Sequence, residues 1–180
     1  MPNIPYKNVD NYQPKELLDA VRARRGARGL LNLDRMLLHS PPLTEGWGAF
    51  FKKVRGELSV DFKLRELAAC ATALLTSARY EFNLHKPEWS KAGASPSQIA
   101  ALENVDAAAA DTTNFNDAER AVIHLAIEMT RNIQVQPETL KTMRAQLPGD
   151  REMVEMVATI AAMNMIGRLL AATGVELEKE

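Results

Sequence analysis

The residues of this chain best suited to chemistry are Glu66, Glu81 and His85. Glu81 and His85 are four positions apart, so on one helix they project the same way, one turn apart. A carboxylate beside an imidazole can orient one tautomer or favour the imidazolium, and either arrangement can move a proton near neutral pH. Glu66 lies on the preceding helical segment and joins the pair if the turn at Ser77 folds the two segments together. Tyr80 adds a hydroxyl beside Glu81. The same spacing also produces weak surface ion pairs, and spacing alone leaves both readings open.

Other candidates carry less. His124 and Glu128 form a second i, i+4 pair. No His-x-x-x-His or Glu-x-x-His pattern supplies ligands from one helical turn, so no metal site is expected. His39 precedes Ser40-Pro41 and reads as a residue near a helix boundary. Asn164 and Arg168, again four apart, lie in a mostly apolar helix where an arginine needs a partner. Arg168 either pairs with a carboxylate such as Glu66 or anchors a substrate carboxylate. Cys70 is the one cysteine, so no internal disulfide is possible; inside a helix it reads as a small buried hydrophobe.

Helices must position these groups. Apolar residues at helical spacing, Leu64, Leu67, Ala68, Ala71, Leu74 and Leu75, predict a helix over 60–76. Ser77 is then expected to cap a helix running through His85, with Pro87 bending or stopping it. Gly93, Ser95 and Pro96 mark a stop followed by a start. Upstream, residues 1–13 read as an extended arm before a single helical domain over 14–180. Pro14 opens a helix with Leu17, Leu18 and Val21 inward, and Asn32 caps a short one. A further helix carries Trp47, Phe50, Phe51 and Val54. Downstream, Asn104–Asn114 is a linker or short helix, Asn116 caps the next helix, and Pro137 opens another. The last helix spans about 150–172. No segment alternates with period two, so the chain reads as all-α.

The bulk numbers set limits. A net charge of −1 gives no field to gather nucleic acid or anionic lipid. Arg22, Arg24, Arg25 and Arg28 cluster, but at a helix end, where cations suit the macrodipole. The longest late uncharged run, 156–167, has 12 residues, short of the ~18 of a membrane span. The N-terminus lacks the apolar stretch of a secretory signal. A cytoplasmic protein with a small-molecule partner, and with neither nucleic acid nor membrane, is expected.

The segment LRELAACATALLTSARYEFNLHKPEWSKAGASPSQIAAL, followed by NDAERAVIHLAIEMTRN and DREMVEMVATIAAMNMIGRLLAATGVELE, resembles the carboxymuconolactone decarboxylase and alkylhydroperoxidase D-like family over roughly 24–178. The resemblance implies an all-helical bundle that assembles into dimers, trimers or hexamers, with a small-molecule pocket near the histidine helix. Peroxidase members use Cys-x-x-Cys and a histidine; here the cysteine positions hold Ala78 and Glu81. Two-cysteine peroxidase chemistry should therefore be absent. The decarboxylase branch is similar in keeping glutamate and histidine without the thiols. It implies chemistry free of metal and organic cofactor on an unsaturated lactone or aromatic-derived acid. His85 would donate the proton, Glu81 would orient and tune it, and Glu66 would support it. Arg79 or Arg168 would fix a substrate carboxylate, with Tyr80 and Asn164 completing the substrate contacts. A non-catalytic ligand-binding or structural oligomer is the alternative, and residual peroxidase activity through Cys70 a further one.

Overall fold

In the computed structural model, which describes residues 1–178, the long helices are the ones the apolar periodicity marks, and there is no strand among the described residues. The chain divides into two compact units.

The first unit comprises Met1–Glu57 together with the chain from Leu169 onward. Helix α1 (Lys15–Arg25) buries Leu17, Leu18 and Val21 against Tyr12 and Leu38. A single 3-10 turn at Gly26–Arg28 follows, opened by Gly26 and closed by Gly29 at φ of 57° and 65°. Helix α2 (Asn32–Leu37) begins at the residue expected to cap it, one position early. Leu31 occupies the cap position, and the Asp34 carboxylate accepts from its backbone N–H at 3.0 Å. Helix α3 (Pro41–Gly56) opens on its prolines and buries Trp47, Phe51 and Val54. No helix forms in residues 1–14. This arm is tied down within the unit: Asn3 donates from its backbone N–H to the Thr173 carbonyl at 2.9 Å, and the Tyr6 hydroxyl accepts from the Glu176 backbone N–H.

The second unit, Leu58–Arg168, carries α4 (Phe62–Leu75), α5 (Arg79–Lys91), α6 (Pro96–Leu102), α7 (Val105–Ala110), α8 (Asp117–Arg131), α9 (Pro137–Ala145) and most of α10 (Asp150–Thr173). Helix α4 is the hub. It packs against α5, α7 and α8, and everything from Arg65 to Ala73 is buried. Asp61 caps it, accepting from the Leu64 N–H at 3.0 Å. Ser95 with Gln98, and Asn116 with Glu119, form capping boxes that start α6 and α8. Residues 104–114 hold a short helix, α7, capped by Asn104. Ser59 and Val60 present backbone N–H groups to the Glu155 carboxylate of α10 at 2.6 and 2.9 Å, which fixes the entry to α4.

Two helix boundaries differ from those expected. Ser77 does not cap α5; Ala78 holds that position without a side-chain cap. Ser77 instead closes α4. The Ala78 N–H reaches the Ala73 carbonyl at 2.8 Å and the Ser77 N–H reaches Leu74 at 3.1 Å, the two bonds of a Schellman stop. Ser77 takes the left-handed position, at φ 56°, that such stops usually give to glycine. Pro87 does not end α5 either. The helix continues through it to Lys91, because the fully buried Trp89 beyond it anchors the last turn.

Helix α10 has the length and mean hydropathy to cross a membrane, but 56% of its most apolar stretch is buried inside the protein. It is a core helix by that measure. Its Gly167 meets the end of α4 so closely that a Cβ there would collide with the Thr76 side chain.

Candidate functional site

The Schellman turn at Ser77 reverses the chain so that α4 and α5 pack side by side, and their facing sides carry the charged cluster. Glu66 projects from the first half of α4, and Glu81 and His85 from the first half of α5. All three are buried: 4%, 0% and 9% exposed. His85 Nδ1 lies 2.7 Å from Glu66 Oε2. Nε2 lies 3.5 Å from Glu81 Oε2, one turn back on the same helix. The imidazole is therefore gripped on one nitrogen and loosely faced on the other.

Burial alone would push the His85 pKa down. Hydrogen bonds from the ring to Glu66 and Glu81, and the charges of both carboxylates, outweigh it and raise the pKa to about 9. At neutral pH the ring is an imidazolium, an acid rather than a base. Glu81 sits in the first turn of α5, where the helix N-terminus favours a negative charge.

Arg65 extends the cluster. It is 7% exposed, its Nε lies 4.0 Å from Glu66 Oε1, and its guanidinium stands over the Phe62 ring at 5.0 Å. Sequence reasoning missed it because a residue adjacent to Glu66 points about 100° away on an ideal helix. Trp89 was also missed. It follows His85 by one turn, is fully buried, and its indole N–H finds no acceptor among the described residues. The i, i+4 spacing from His85 was the available signal, but spacing does not reveal an unmet donor.

Three of the expected substrate contacts, Arg79, Arg168 and Asn164, have hydrogen bonds directed elsewhere than the imidazole. Arg79 is exposed and pairs with Glu103 at 2.7 Å. Arg168 does not reach Glu66. It is exposed and donates to the Asn164 carbonyl and to Asn164 Oδ1 at 3.1 and 2.5 Å, because the α10 surface there faces outward. Asn164 in turn donates to Thr130 Oγ1 at 2.9 Å. Tyr80 is buried in the first turn of α5. His124 is exposed, while Glu128 accepts from Thr139 and the Gln136 N–H, so those two do not form a proton-transfer pair. His39 Nε2 bonds the Pro5 carbonyl at 2.8 Å.

The thiol is remote from redox chemistry. Cys70 is fully buried on α4, and burial, reinforced by the Glu66 charge, drives its pKa far above the ordinary value. Ala78 and Glu81 occupy the start of α5 without sulfur.

Comparisons with known proteins agree with this fold. An uncharacterized peroxidase-related protein from Ralstonia eutropha JMP134, described as an alkylhydroperoxidase AhpD core, superposes with a TM-score of 0.82 at 14% identity, covering 99% of this chain and 93% of that one. A peroxidase-related protein from Silicibacter sp. TM1040 gives 0.77 at 14% identity, covering 98% and 90%. The debrominase Bmp8, as a cysteine-to-alanine variant in complex with 2,3,4-tribromopyrrole, gives 0.78 at 17% identity, covering 98% and 92%. No curated protein matches the chain in sequence. Residues 41–124 match the model of the carboxymuconolactone decarboxylase family, the inner part of the stretch whose sequence resembles it. Over those residues the chain is similar to the carboxymuconolactone decarboxylase family, and its helical fold is that of the AhpD-like neighbours.

Proposed function

We propose that this protein performs cofactor-free acid/base chemistry on a small unsaturated lactone or aromatic-derived acid, with His85 as the proton donor. The observation that carries the proposal is the buried imidazole held between two carboxylates from two helices. Glu66 grips Nδ1, so Nε2 is the nitrogen left to deliver a proton. Its 3.5 Å separation from Glu81 is longer than a tight hydrogen bond, so a reacting carbon can compete for that proton. In a decarboxylation, the bond from the substrate carbon to its carboxylate breaks and CO2 leaves. The electron pair flows into the unsaturated lactone as an enolate, and Nε2 protonates the carbon. Solvent then restores the imidazolium. The low-dielectric surroundings favour the charge-neutralising transfer. The roles differ from the sequence expectation in one respect: Glu66 orients the ring and Glu81 faces the donating nitrogen. Arg79, Arg168, Tyr80 and Asn164 stay as proposed substrate contacts that the reaction would have to recruit.

The debrominase among the structural neighbours is seen with a small halogenated aromatic, which supports a compact aromatic-like substrate for this fold. We place the protein in the cytoplasm as a homo-oligomer acting on a small molecule, away from nucleic acid and membrane. The test is turnover of a panel of carboxylated unsaturated lactones by wild-type protein and by Glu81→Gln, Glu66→Gln and His85→Gln. Loss of turnover with retained folding supports the assignment; full turnover in His85→Gln ends it.

A second reading is favoured by the depth of the cluster. With Glu81 wholly buried, the triad can serve as an ion-paired clamp joining α4 to α5 in a binding or structural oligomer. Ligands that raise the Tm of wild-type protein without being consumed would favour it. Peroxidase activity through Cys70 is the weakest reading, since a buried neutral thiol does not attack peroxide.

A further inference from the structure

Arg65 stands beside the site without a role in the reaction so far. With it, four side chains form a row through the interior between α4 and α5: Arg65, Glu66, His85 and Glu81. Each is buried, with no more than 9% of its surface exposed. Arg65 Nε stands 4.0 Å from Glu66 Oε1, Glu66 Oε2 stands 2.7 Å from His85 Nδ1, and Glu81 Oε2 stands 3.5 Å from His85 Nε2. The signs alternate along the row, and with the ring protonated the four charges sum to zero. Glu66 is thus shared: one carboxylate oxygen faces the guanidinium and the other holds the imidazole.

Arg65 is held in place by its own helix. Its guanidinium lies over the ring of Phe62, one turn back on α4, at 5.0 Å. The other charged side chains of α4 and α5 are directed elsewhere. Lys63 pairs with Glu119 at 2.8 Å, Arg79 with Glu103 at 2.7 Å, and Lys91 with Glu88 at 2.9 Å. Lys86 lies 5.9 Å from the centre of the Phe82 ring. Helix α6, which also packs on α5, carries no ionisable side chain.

An imidazolium buried between two carboxylates is a poor acid, because losing its proton strands two negative charges away from water. A guanidinium keeps its charge at any working pH, so it offsets one of them throughout. With Arg65 in the row, proton release leaves one net negative charge rather than two. We propose that Arg65 is a positioning residue acting through Glu66: it faces one oxygen of that carboxylate, so that the other orients His85 while the ring can still release its proton to the substrate. This inference rests on the reading of His85 as the proton donor.

An NMR titration of the His85 ring in the full-length protein tests it without needing a substrate. The wild-type midpoint is expected at about 9. Arg65→Gln should raise it by about one pH unit, roughly a ten-fold tighter hold on the proton. Arg65→Lys restores a cation and should return the midpoint towards the wild-type value; a merely structural role would leave it unmoved in both variants. Where a lactone is turned over, the alkaline limb of its pH profile should move with the ring, and turnover near neutral pH should fall several-fold in Arg65→Gln. If Arg65→Gln does not fold, Phe62→Leu, at a position 41% exposed, loosens the guanidinium and should move the midpoint in the same direction. An unmoved midpoint in the folded variant overturns the proposal, as does an Arg65→Lys midpoint equal to that of Arg65→Gln. A midpoint that moves as expected in a protein that turns over no substrate upholds the hold of Arg65 on the ring and ends the proton-donor reading alone.

Discussion

His85 Nδ1 and Glu66 Oε2 lie 2.7 Å apart although 19 positions separate them in the chain. Their contact ties α4 to α5 in the interior, where an ion pair is held by geometry and scarcely screened. Removing one partner should therefore be costly. Glu66→Gln keeps the shape and removes the charge. It should lower stability by about 3 kcal/mol, because a buried imidazolium loses its main counter-charge or must give up its proton. Urea unfolding checks the stability, and an NMR titration of the ring should show the His85 pKa falling from its raised value.

The raised pKa has a pH signature. At about 9 it exceeds the 6.5 of an ordinary imidazole, so between those values the folded protein keeps a proton that the unfolded chain has released. The resulting stabilisation, on the order of 3 kcal/mol, is fully present below pH ~6.5 and is lost as pH rises through about 9. Unfolding midpoints measured from pH 6 to pH 10 should fall across this window in wild-type protein. The difference between wild type and His85→Gln isolates the term from other titrating groups. A constant difference over the window would contradict the geometry.

Gly167→Ala tests the closest approach in the second unit. The new Cβ would collide with Thr76 Oγ1 and lie 2.7 Å from Thr76 Cβ, so one helix must shift. A loss of about 2 kcal/mol is expected from thermal or urea unfolding. Thr76→Ala should restore only part of it, since the Cβ contact persists, whereas Thr76→Gly should restore more.

Ser77→Gly should act in the other direction. Serine holds φ 56° at the α4 stop, where a Cβ is strained and glycine is not. A gain of up to about 1 kcal/mol in unfolding free energy is expected, with α5 and the site undisturbed.

Cys70 should resist a thiol reagent in native conditions and react only on unfolding, because its thiol is fully buried and held neutral. Peroxide consumption by wild-type protein and by Cys70→Ala should be the same. A rapid native reaction would mean that α4 opens locally.

Several of the helices were legible because they carry their own local code. Asp61, Ser95, Asn104 and Asn116 cap through side chains within three residues, and Gly93 stops α5 at φ 98°. Pro87 and Ser77 misled because packing overrode the local rule: the buried Trp89 carries α5 past one, and the Schellman turn claims the other. Of the two partners expected for Arg168, the Glu66 carboxylate is not the one it takes, because helical spacing does not say which face of α10 meets solvent.

An all-helical fold, a single cysteine and a Glu–His pair one turn apart can be read from the sequence alone, since these depend on residue identity and local periodicity. Only the tertiary structure decided that Glu66, rather than Glu81, grips the imidazole and that the ring is charged at neutral pH. It also decided that Arg65 is buried beside Glu66 in that cluster. Those outcomes depend on burial and on distances between segments far apart in the chain, which no local pattern encodes.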